Sequence, residues 1–247
     1  MEAKAKIKET EALLLKRDLN FQEIIYRNSL RDLKCCHILE MQELVWDVGS
    51  DTEHASNFLI KKLQPLGLSI IKMLTLKQHS SSKCFKKIMK SSFIKKICEL
   101  TVVLDKDRSK AFACNFRSIM KLIPTVKDKF VLYHCNISKN HFRKLIQAGR
   151  HILNIVFINC EISMMELELS DSLHYSTKSI ILEFWKDPLS SESCEQSIKD
   201  LLKAMAKTDL NKALEILKIN SSTPLQDPTE YAQELGFHKL SINYQQI

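Results

Sequence analysis

The chain has 247 residues, 45% of them apolar, which is enough for one large domain or two small ones to fill a core without disulfides. A charged fraction of 27% with no uncharged apolar run of bilayer length excludes a transmembrane helix, and Met1-Glu2-Ala3-Lys4 opens no secretory signal, so a soluble cytoplasmic protein is expected. Four glycines and five prolines exclude loop-rich sandwiches and the Gly-rich loops that cradle phosphates.

The formal net charge of +8 is unevenly spread, being +7 over residues 51–100, +8 over 101–150 and −6 over 151–200. Eight cysteines are scattered along the chain without a leader, so free thiols are expected rather than a disulfide scaffold. The one tight group of ligand types is Cys35-Cys36-His37. Adjacent helix positions point about 100° apart and could not close around one ion without partners from elsewhere, so no metal site is expected; no cofactor is expected either.

In chain order, residues 1–67 read as a helical segment. Leu15, Leu19, Tyr26, Leu30, Leu33, Met41, Leu44 and Val48, with Gln22 and His37 filling the gaps, step by three and four with an eleven-residue period. The spacing predicts a long amphipathic helix, either packed on the rest of the chain or self-associating as a coiled coil. Gly49 ends it, and Ser50-Asp51-Thr52-Glu53 reads as a capping box for a second helix that stops at Pro65 and Gly67.

Between Lys61 and Lys96 stand ten lysines and no acidic residue. Within that stretch a helix is predicted with Phe85, Ile88, Met89 and Phe93 inward and Lys83, Lys86, Lys87, Lys90 and Lys95 outward. These five lysines form a basic patch suited to an acidic protein, anionic lipid or nucleic acid. With arginine scarce and no interleaved exposed aromatics, a diffuse electrostatic contact is expected rather than base readout.

From about residue 68 the pattern repeats. His134-Cys135-Asn136-Ile137-Ser138 recurs twenty-five positions later as Asn159-Cys160-Glu161-Ile162-Ser163, each after a β-rich run. Ile152-x-x-Ile155-x-Phe157-x-x-Cys160-x-Ile162 follows the pattern LxxLxLxx(N/C)xL. Looser copies begin at 71, 97, 127, 177, 214 and 237, the last being Phe237-x-x-Leu240-x-Ile242. Helices are expected between the strands: one capped by Ser138 and ended by Gly149, one opened by Ser163-Met164-Met165-Glu166, one from Glu192 to Lys207, and one opened by Asp227-Pro228-Thr229-Glu230.

On these residues the stretch 68–247 resembles leucine-rich repeat proteins, in the longer-repeat, ribonuclease-inhibitor-like subgroup. The resemblance implies an α/β solenoid of about seven irregular units, parallel sheet inside and helices outside, that binds another protein. It also implies that Cys135 and Cys160 are buried, reduced thiols serving loop backbone. His134 and His141 lie near Cys135, but an inward cysteine and an outward His134 would not make a nucleophile pair.

Strand alternation then places Thr101, Val103, Val131, Tyr133, Val156, Ile158, Ile181 and Phe184 on the sheet face opposite the core. A sheet covered on one side only alternates apolar with polar, so an apolar second face implies a cover. A protein partner anchored on Val103, Val131, Tyr133, Val156, Ile158, Ile181 and Phe184 is one cover; the N-terminal helix of the same chain is another. No GxSxG, HExxH, Walker A or GxGxxG occurs, so no enzyme is expected.

Overall fold

A computed structural model of the chain describes residues 40–48, 70–78, 96–104, 109–184, 191–221, 228–237 and 240–246. The chain divides into two compact units, Met1–Val103 and Leu104–Ile247.

In the first unit, strands β1 (Glu40–Val48), β2 (Ile70–Gln78) and β3 (Lys96–Leu104) lie in the order β1-β2-β3. β1 and β2 are parallel, with Met41 opposite Ile71, Leu44 opposite Leu74 and Trp46 opposite Leu76. Residues 40–48 are therefore strand, not the end of the expected helix. Met41-x-x-Leu44 satisfies both the helical three-four step and the first two positions of the repeat. Val45 and Trp46, which favour strands, tip the balance once β2 offers its edge. The rest of that helix, its successor and Cys35-Cys36-His37 lie outside the described residues. On β2, Ile71, Leu74 and Leu76 are buried, and on β3 Ile97, Leu100, Val102 and Leu104 are buried. All but Leu104 are inward positions that the repeat pattern requires.

The second unit opens with helix α1 (Ser109–Leu122) and a 3-10 turn, Ile123–Thr125. Then follow β4 (Val126–Tyr133), β5 (Asn136–Ile137), α2 (Lys139–Ala148), β6 (Asn154–Ile158) and β7 (Glu161–Ile162). β8 (Ser179–Phe184), α3 (Ser191–Ala206), α4 (Leu210–Ala213), β9 (Ile216–Ser221), α5 (Thr229–Glu234) and β10 (Ser241–Gln246) complete it. The strands run β4-β6-β8-β9-β10, each parallel to the next, while β5 and β7 pair in a small parallel sheet of their own. Parallel strands alternating with helices make this an α/β unit.

Register follows the repeat. Phe130, Ile155, Ile180 and Leu217 form one row across the sheet and Leu132, Phe157, Leu182 and Ile219 the next. None of the eight is more than 2% exposed. The loops repeat too: His134 and Asn159, twenty-five residues apart, both adopt positive φ, 56° and 54°. At the strand entries, Leu153 O accepts from the N–H groups of Lys178 and Ser179, and Lys178 O from those of Glu215 and Ile216. A single strand-helix unit leaves one face bare, and stacking in register buries it.

The helices over this core follow their sequence signals with one exception. Ser138 Oγ accepts from His141 N–H, Gly149 ends α2, and Phe142, Leu145 and Ile146 are buried beneath it. In α3, Ile198, Leu201, Leu202 and Met205 are buried. α5 begins at Thr229 with Pro228 as its N-cap and no side-chain cap, one residue later than the expected start with Pro228 inside the first turn, and Asp227 lies outside the described residues.

The exception is Ser163-Met164-Met165-Glu166, which opens no helix: residues 163–178 are irregular, with Glu166 at φ 50°. A capping box needs the Ser163 N–H for the Glu166 carboxylate. Here that N–H donates to Ile137 O at 3.0 Å, and the Glu166 N–H donates to the Asp200 carboxylate at 2.8 Å. Tyr175, 1% exposed, anchors this segment.

Two register assignments also change. Lys127 is exposed, and Val126, the first residue of β4, fills the buried place instead. In β10, Ile242 pairs with Leu217 and Tyr244 with Ile219, so the last unit sits two residues later than Phe237-x-x-Leu240-x-Ile242 implies. Phe237 is buried all the same, in the loop after α5.

Candidate interaction face

The side chains between the buried positions of β4, β6, β8 and β9 make up the second face of the sheet. Val131, Val156, Ile181 and Lys218 share one row, and Tyr133, Ile158, Glu183 and Asn220 the row nearer the carboxyl ends of the strands. Neighbouring strands stand about 4.8 Å apart, so β-branched chains in one row shade each other. Val131 and Val156 are buried at 5% exposure each, while Tyr133, Ile158 and Ile181 are half-buried.

The sheet thus brings Val131, Tyr133, Val156, Ile158 and Ile181 together on one face, in two rows. The two central valines are closed to solvent, so an incoming group would first meet Tyr133, Ile158 and Ile181. Val103 belongs to the first unit, where it is half-buried on β3 beside Thr101. Phe184 registers with Ser221, and its side chain lies outside the described residues. Lys83, Lys86, Lys87, Lys90 and Lys95 also lie outside the described residues, while Lys96 is the exposed first residue of β3.

Toward β9 the face turns polar. Glu183 follows Ile158 in its row and Asn220 follows Glu183. Asn220 is only 7% exposed, yet its Oδ1 has no hydrogen-bond partner. Nothing in the sequence marks that orphaned acceptor. A buried amide oxygen without a donor costs stability on the order of 1–3 kcal/mol.

Beneath the loops at the carboxyl ends of β4 and β6, Cys135 and Cys160 are buried free thiols. Cys135 Sγ donates to Tyr133 O at 3.1 Å, and Cys160 Sγ lies 3.3 Å from Leu132 O and 3.4 Å from Ile158 O. They bond carbonyls at the ends of β4 and β6, so their acceptors are strand backbone rather than the expected loop backbone. Burial, and secondarily contact with Cys160, pushes the Cys135 thiol well above its ordinary range. It stays protonated, which leaves no thiolate for nucleophilic work.

His141 packs its ring 4.1 Å from that of Phe116. Burial and then the nearby Lys144 ammonium lower its pKa. No group of three or more metal-ligating side chains occurs among the described residues. A cleft of about 180 Å³ between α3 and α5 has Lys199 Nζ 5.9 Å above the Tyr231 ring and Glu195, Glu230 and Glu234 on its walls.

No protein-family model matches the chain, and no curated protein is significantly similar to it. Among the described residues no helix is long and apolar enough to cross a membrane.

Proposed function

We propose that this chain is a non-enzymatic protein-interaction module whose units are leucine-rich repeats of the longer strand-helix kind, stacked as a solenoid in the cytoplasm. It receives a partner on the second face of the sheet. Tyr133, Ile158 and Ile181 are the first contacts, backed by Val131 and Val156, with Phe184 extending the apolar set; Val103 is a separate apolar contact of the first unit. The lysines at 83, 86, 87, 90 and 95 steer acidic partners by long-range attraction.

What carries the reading is the row Val131, Val156, Ile181 on the side of the sheet away from the buried rows. Parallel strands with two apolar faces need two covers. The twenty-five-residue register and the buried pattern positions support the repeat assignment. The hydrogen-bonded loop thiols support it as well.

The test compares proteins co-purifying with the tagged full chain and with its Tyr133→Asp and Ile158→Asp variants. Loss of the same specific proteins from both folded variants is expected; unchanged recovery refutes the face as the binding site. Recovery that ignores added salt removes the steering role of the lysines. A second reading rests on the ten lysines without an acidic residue between positions 61 and 96. In it the chain binds nucleic acid or anionic membrane surface through that segment. Filter binding to RNA and sedimentation with anionic vesicles separate the two readings.

A further inference from the structure

α2 packs on the buried rows of the sheet through Phe142 against Phe157, and α1 meets α2 where the rings of Phe116 and His141 lie 4.1 Å apart. Both helices are therefore on the opposite side of the sheet from Tyr133 and Ile158. Neither contains an acidic residue. From Arg117 to Arg150 the sequence has eight lysines and arginines and a single acid, Asp128, which lies in β4. α3, by contrast, sets Glu195 and Asp200 among its lysines.

Arg117 and Lys121 are exposed on α1, one turn or about 6 Å apart along its axis. On α2, Lys144 is exposed and Arg143 half-buried. Ion pairs among the described residues take up Lys139, His174, Lys178 and Lys212, and none takes up these four. Like charges four residues apart work against a helix. A cation in the last turn is favoured by the helix dipole, which accounts for Lys121. It does not account for Arg143 and Lys144, which stand in the middle of α2.

The rest of this surface selects among anionic partners. A helix face that seats in a membrane carries bulky apolar residues beside its cations, and a protein contact is anchored by apolar or aromatic side chains. Among the described residues the large apolar side chains that stand exposed are Met73, Met165 and Ile216, none of them on α1 or α2. A phosphate backbone needs no such anchor, and the arginine fork matches its oxygens. The described aromatic rings of these helices are covered, Phe116 and Phe142 being buried and His141 half-buried, so unstacked bases find no platform. A duplex, met at its backbone, fits better than a single strand.

We propose that the outer surface of α1 and α2 binds the phosphate backbone of double-stranded RNA, without reading its sequence, through Arg117, Lys121, Arg143 and Lys144. The contact is separate from the sheet face and from the lysines at 83, 86, 87, 90 and 95, and it depends on neither.

The experiment is fluorescence anisotropy of a labelled RNA duplex of about 20 base pairs, titrated with the full chain at salt from about 50 to 200 mM. The logarithm of the affinity should fall linearly with that of the salt concentration. Two paired variants, Arg117→Gln with Lys121→Gln and Arg143→Gln with Lys144→Gln, should keep the wild-type circular dichroism. Each should weaken binding about tenfold at the lowest salt and flatten the salt slope by about two, and all four changes together by about four. If one pair fails to fold, the other decides.

Changing Lys83, Lys86, Lys87, Lys90 and Lys95 to glutamine removes one charge more than the four-residue variant does. A flattening of the slope by these five as large as that by the four overturns the proposal, by reducing it to net charge. A wild type that leaves the duplex free at the lowest salt overturns it, as does a four-residue variant with the wild-type slope. Binding to phosphatidylserine vesicles or to polyglutamate as tight as to the duplex overturns it too, by making the partner a membrane or an acidic protein.

Discussion

Replacing Phe157 with alanine probes the shared core directly. Phe157 is fully buried in β6, flanked in its row by Leu132 and Leu182, and its ring lies 5.4 Å from that of Phe142 at 52°. Phe142 comes from α2, so this pair joins sheet to helix across one repeat. Removing a buried phenylalanine costs about 3–5 kcal/mol in lost transfer energy and cavity, and the tilted ring contact accounts for about 0.5–1.5 kcal/mol of coupling. Against a total stability of roughly 5–15 kcal/mol, that is a large fraction.

Urea unfolding followed by circular dichroism should show the midpoint fall accordingly. The double variant with Phe142→Ala should lose less than the sum of the single changes, by about the coupling term. Ile158→Ala, one residue along but half-buried on the second face, should cost no more than about 1.5 kcal/mol. Equal losses for Phe157→Ala and Ile158→Ala would refute the assignment of the two faces. Simple additivity with Phe142→Ala would refute the contact.

Asn220→Leu removes a buried amide whose oxygen has no partner, so thermal unfolding should shift upward by the equivalent of about 1–2 kcal/mol, and a loss would mean the oxygen is satisfied in solution. Gly236 sits at φ +88° with no atom within 4 Å of the place a Cβ would occupy, so Gly236→Ala should cost about 1 kcal/mol from backbone strain alone, read by the same denaturation.

Stability should also fall on the alkaline side. The folded state holds the Cys135 thiol proton that the unfolded chain releases near pH 9, and burial likewise raises Tyr175 above its usual value near 10 despite the opposing Arg150 charge. The unfolded state then binds fewer protons, so the contribution is complete below pH 9 and is lost as pH rises past 9 and then 10. A Cys135→Ala variant should lose the first part of that dependence.

Ser138, Gly149, Phe142, Leu145 and Ile146 specify the start, stop and buried face of α2 within its own few turns, because caps and three-four spacing are local. The pair Cys135 and Cys160 likewise marks a strand-loop unit repeated at twenty-five residues. Met41-x-x-Leu44-x-Trp46 is written in the same pattern, yet its spacing is equally helical over so few residues, and only pairing with β2 decides for strand. Ser163 and Glu166 spell a capping box, but the Ser163 N–H is taken by Ile137 O, a partner twenty-six residues back.

By itself, then, the order of residues determined which positions are apolar, where helices can begin and end, and that a unit recurs. Tertiary structure decided what depends on the neighbouring chain segment: the register of β10, the closure of Val131 and Val156, the orphaned oxygen of Asn220. The reason is that a backbone N–H or an exposed methyl has several local uses, and the choice among them is made by whichever strand arrives alongside.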